Sequence, residues 1–329
     1  MADDEKETHR IYELIFILSE VILIVLFGFC TTYGDGVHPA VIRPGTEEYS
    51  AKDLVQHYYP MFQDVHVMIF IGFGFLMVFL KTHAWTSVGF NMLIAAYCLQ
   101  LTILVQGFWH QFIVEREFYK IEVDIGSLII GDFGAAAVLI TFGALLGKVS
   151  IFQLWILATF EIIFYALNEA IGAGLLQAVD MGGSMYVHTF GAYFGLAASF
   201  FFKPQKAIDD KEARCGGGYN TQLVAMVGAV FLWMYWPSFN GALAGPSQQQ
   251  RVIVNTVLAI SSSCVTACGT SRLFFHKLDM EVVLNATLAG GVAIGSASDL
   301  VVNSLFATLI GGAAGILSAL GFMYLSAFL

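Results

Sequence analysis

The arrangement with the most chemical content in this sequence is a histidine deep in an apolar run, with an aspartate eight residues before it. The string reads Asp180-Met-Gly-Gly-Ser-Met-Tyr-Val-His188, followed by Thr189-Phe190-Gly191. Eight residues of helix rise about 12 Å. A helix starting near Gly182–Ser184 would therefore put an acid at its entrance and an imidazole well inside. The acid would draw cations. A neutral imidazole can donate or accept a hydrogen bond and can exchange a proton near neutral pH. Two plainer readings stay open: His188 as a satisfied core residue and Asp180 as a helix cap. The other ionisable groups in apolar runs are Glu13, Glu20, Asp124, Asp132, Glu161, Glu169 and Asp299, with Asp64 and His66 near the mouth of the second run. Glu161 and Glu169 could pair with neighbouring helices. No cluster of nucleophile and base and no set of metal ligands is visible, so an enzyme is not expected, and neither is a metal or cofactor.

Positioning these groups requires membrane helices. Of the 329 residues, 57% are hydrophobic and 12% charged, against about 45–50% and about 25% in ordinary soluble domains. A net charge of −10 argues against nucleic acid as a partner. A helix needs about 20 apolar residues to cross a bilayer, and ten runs qualify: 11–33, 61–80, 85–109, 121–147, 151–172, 184–202, 220–241, 252–271, 282–300 and 304–328. The fold class is an all-α polytopic membrane protein with about ten transmembrane helices. With the N-terminus cytoplasmic, ten of the fifteen Lys and Arg residues fall inside, as the positive-inside rule asks. Both termini are then cytoplasmic, and residues 34–60 form an acidic outer loop. Residues 1–33 make a cytoplasmic N-terminus and first helix, and 204–219 a cytoplasmic loop.

Small residues recur at helical spacing at Gly143/Gly147, Gly191/Gly195, Gly291/Gly295 and Gly311/Gly315, which is the pattern of closely packed membrane helices. The aromatics of Trp233-Met-Tyr-Trp-Pro-Ser-Phe239, just before Asn240, read most simply as an interfacial belt. The five cysteines form no disulfide framework.

Together these strings resemble the Rhesus branch of the ammonium transporter superfamily. The match includes Phe62-Gln-Asp-Val-His-Val-Met through Met77, Gly131-Asp-Phe133, Gly143–Ser150, Gly182–Leu196, Phe231–Asn240, Lys277-Leu-Asp-Met280 and Asn285–Gly295. The first span marks the Rhesus branch. The resemblance implies passage of ammonia or ammonium through a narrow apolar pore in each subunit of a homotrimer or mixed trimer, in a plasma membrane. It implies a stacked gate at Phe133 and Phe239, a vestibule acid at Asp180 and a pore histidine at His188, with Asp132 and Asn240 as supporting polar groups. No clear equivalent is found for the outer tryptophan of bacterial and plant relatives, which favours low-affinity passage. A dry pore selects ammonia because potassium cannot shed a proton. Whether that proton stays outside or is relayed through imidazole is left open by the residues.

The resemblance also implies two inverted halves, here 61–203 and 220–329. The second half holds four spans, so the chain reads as lacking the end of the family pattern, its last two spans, with the second pore histidine. As written, the chain is expected to conduct or fold poorly, as a fragment, splice form or variant of a longer protein. The competing readings are a gas pore that admits carbon dioxide and a non-conducting structural subunit of a mixed trimer.

Overall fold

The computed structural model describes residues 2–34, 37, 48–80, 84–202 and 217–325. Residues 35–36 and 38–47 of the expected outer loop, the 203–216 segment with Cys215, and residues 326–329 lie outside the described residues. Helix α1 (Ala2–Cys30) is followed by β1 (Thr31–Tyr33). Helix α2 (Glu48–Val67) continues through a π turn (Met68–Gly72) to Phe79. Helices α3 (Ala84–Trp109), α4 (Ile125–Leu145) and α5 (Ile151–Glu169) follow, with β2 (Ile121–Val123) ahead of α4. A π turn (Ser184–Thr189) leads into α6 (Phe190–Phe201). Helices α7 (Tyr219–Gly241), α8 (Pro246–Phe275), α9 (Met280–Ala286), α10 (Ala289–Gly295) and α11 (Ser304–Leu320) complete the bundle.

Each of the ten expected runs contains helix among the described residues, although 31–33 and 121–123 are strand and 184–202 is not among the spans of full length. Eight of the helices described are long and apolar enough to cross a membrane, and Val282–Gly295 is shorter. The chain is an integral, multi-pass membrane protein. Many large apolar residues of its helices are exposed, among them Ile17, Phe29, Phe160, Leu196 and Phe306.

Several boundaries differ from expectation for identifiable reasons. The second span starts at Leu54 rather than 61, because Pro60 stands inside α2 instead of ending a loop. Asp64 and His66 consequently lie well within a spanning helix rather than at its mouth. The ninth run breaks between α9 and α10. There the Ser263 hydroxyl donates to Ala286 O at 2.8 Å and accepts from Gly290 N at 3.0 Å. A side chain inserted into the main-chain ladder in this way ends a helix. Asp299 falls in the turn that follows, where it accepts from Gln248. Asp124 is not inside a span but caps α4, accepting from Ser127 N at 2.8 Å. Gly147 is a turn residue with φ +72° and takes no part in helix packing.

The other small-residue pairs are packing sites. A Cβ at Gly191 would stand 3.2 Å from Ala137 C, and one at Gly195 would stand 3.0 Å from Thr141 Cα, so α6 lies directly on α4. Gly311 and Gly315 bring α11 onto Ala259 and Ser263 of α8 in the same manner. Strands β1 and β2 pair in parallel, Thr31 with Ile121, and tie the end of α1 to the start of α4.

Candidate functional site

Helices α4 and α7, with the turn before α6, bring the expected pore residues together. Phe133 on α4 and Phe239 on α7 face each other with ring centroids 4.5 Å apart and planes at 38°. Phe239 is fully buried. Phe239 and the His188 ring pack nearly perpendicular, with centroids 5.5 Å apart and planes at 74°. The same imidazole lies over Trp236, with centroids 5.4 Å apart and planes at 30°.

Three features hold His188 in place. The turn before it opens on Gly183, at φ +67°, a conformation that costs glycine little. Gly183 O then accepts from Val187 N, His188 N and the His188 ring nitrogen Nδ1, the last at 3.1 Å. A carbonyl can only accept, so Nδ1 carries the proton and Nε2 of the neutral ring presents a lone pair. No described residue hydrogen-bonds Nε2. The third feature is Trp236, which sits against Gly291, where a Cβ would stand 2.5 Å from the indole ring.

Asp180 is a cap. Its Oδ2 accepts from Met185 N at 2.8 Å and Tyr186 N at 2.9 Å, and its Oδ1 accepts from Ser296 Oγ. Both carboxylate oxygens therefore have partners within the protein. Asn240 is fully buried, and its Nδ2 donates to Thr256 Oγ1 at 3.0 Å and Gly291 O at 3.1 Å. It clamps α7 to α8 and α10.

Asp132 is fully buried, and both its oxygens lie against His66 Nδ1, at 3.0 and 3.2 Å. Glu161 accepts from Thr141 at 2.6 Å, and Glu169 from Gln106 at 3.2 Å. These acids pair between helices. The belt expectation is corrected: Trp236 and Phe239 are interior residues, because they lie on the face of α7 that Gly291 and His188 cover. The sequence places Trp236 in an interfacial belt and His66 at the mouth of the second run, and gives neither a part in the site. The available signal for the first was the spacing Trp236, Phe239, Asn240, which puts all three on one helical face. Among the described residues no group of His, Cys, Asp and Glu is placed to hold a metal ion.

Comparison with known proteins places this arrangement. Residues 38–329 match the model of the Ammonium Transporter Family. Ammonium transporter Rh type C of Canis lupus familiaris is 42% identical over 322 residues, which are 95% of this chain and 68% of that protein. Rh type A of the same species is 44% identical, over 96% of this chain and 75% of its own length. The solved structure of Rh50 from Nitrosomonas europaea, of the Rhesus family of channels, superposes with a TM-score of 0.75 at 30% identity, covering 83% of this chain and 72% of that one. The helical bundle thus superposes on Rh50 over most of its length, and the chain belongs to the ammonium transporter family.

Proposed function

We propose that the chain carries ammonium nitrogen across a membrane as ammonia. The observation that carries this reading is the imidazole of His188 fixed directly behind the Phe133–Phe239 pair. Taking a small cation out of water into an apolar constriction costs several kcal/mol or more. Neutral ammonia escapes that cost but needs a partner for its N–H groups once past the rings. The lone pair on Nε2 supplies one. Ammonium therefore gives up its proton before the rings, and potassium, which has none to give, is excluded. Asp180 raises the local cation concentration through its charge and holds the turn that orients His188.

In this reading Phe133 and Phe239 are the gate, and Asp132 and Asn240 hold the gate helices in place. The two halves, 61–203 and 220–329, are inverted repeats, a common transporter plan. The subunits form a trimer in the plasma membrane, with both termini in the cytoplasm. Against the expectation of poor conduction drawn from the short second half, the chain, reconstituted into vesicles holding a pH indicator and given an inward ammonium gradient, should speed internal alkalinisation above that of protein-free vesicles. Equal rates would overturn the reading.

A further inference from the structure

Helix α2 packs against both α4 and α7, the two helices that carry the phenylalanine pair. Two of its side chains, on either side of the fully buried Val65, reach those helices. Asp64 Oδ2 accepts a 2.6 Å hydrogen bond from Ser238 Oγ on α7. His66 Nδ1 lies 3.0 and 3.2 Å from the two carboxylate oxygens of Asp132 on α4. Ser238 and Asp132 are the residues immediately before Phe239 and Phe133. Within one turn, α2 thus holds the main chain beside each ring of the pair. The His66 ring is itself confined between Phe62 and Phe70, at 5.0 and 4.6 Å.

These polar ties are not needed to join α2 to α7. Further along, a Cβ at Gly228 would stand 2.6 Å from Gly72 O and 2.7 Å from Phe75 C, so the two backbones are already in contact. What the ties add is local to the rings. Asp132, fully buried, has no other hydrogen-bond partner among the described residues, so its direction is set by His66 alone.

We propose that Asp64 and His66 are positioning residues that fix the Phe133–Phe239 separation, and with it the size of the solute admitted. This rests on the reading of the two rings as a gate. A looser pair should admit methylamine, one methyl group larger, more readily relative to ammonia. The test is the ratio of methylammonium-driven to ammonium-driven alkalinisation in vesicles carrying the full chain. Asp64→Ala, Ser238→Ala and His66→Ala should each raise the ratio on the order of threefold, while Asp64→Asn, whose amide oxygen still accepts the serine hydroxyl, should keep the parent ratio. Ser238→Ala deletes only a hydroxyl and decides the matter should the other variants fail to fold. An unchanged ratio in folded Ser238→Ala and His66→Ala, with a raised ratio in Phe239→Ala, would overturn the positioning role. An unchanged ratio in Phe239→Ala as well would instead overturn the gate.

Discussion

Gly311→Ala is expected to prevent accumulation of folded protein. Helix α11 crosses α8 so closely that a Cβ at Gly311 would overlap Ala259 O outright and stand 2.5 Å from that residue's carbonyl carbon and Cα. The obstacle is backbone, so no rotamer change can relieve it, and α11 would have to lift off α8. Membrane helices gain little from hydrophobic burial against one another and depend on close packing. Overpacking costs about 1–3 kcal/mol even where side chains can yield, and here they cannot. Size-exclusion chromatography of detergent-extracted protein should show the folded peak lost in Gly311→Ala. It should be retained in Gly269→Ala on α8, where nothing lies within 4 Å of the added methyl. A normal Gly311→Ala peak would mean that α8 and α11 do not cross as described.

His188→Ala should lower ammonium-driven alkalinisation about tenfold, with the folded peak intact. His188 is 8% exposed and touches Trp236 and Phe239, so its removal takes the Nε2 lone pair away from behind the gate. One hydrogen bond lost in an apolar passage is worth about 1.5 kcal/mol, or roughly tenfold in rate. His188→Gln, which can still offer an oxygen, should lie between the alanine variant and the parent. If all three rates agree, the imidazole is a core residue and no part of the conduit.

The parts of this site that were legible in the sequence are the local ones. Hydropathy marks the helical runs because lipid demands about 20 apolar residues per span. The Asp180–His188 spacing falls on a single turn, where a cap and a side chain obey local rules. Partners far apart in sequence leave no such trace. His66 and Asp132 are 66 residues apart, and no periodicity connects them. Phe133 and Phe239 stand out only through likeness to a family. Trp236 reads as one more interfacial aromatic until Gly291 and His188 are seen to cover it. The break between α9 and α10 depends on the Ser263 hydroxyl of another helix. Strands β1 and β2, at three residues each, are too short to show an alternation.

In the proposed function, nitrogen crosses the Phe133–Phe239 constriction without charge. This uncharged passage is tested most directly by measuring, in one vesicle preparation, ammonium uptake and the charge that accompanies it at a series of membrane potentials. The account predicts uptake that does not vary with potential, carries no matching current and slows in His188→Ala. One elementary charge per molecule taken up, with a rate untouched by that substitution, would contradict it.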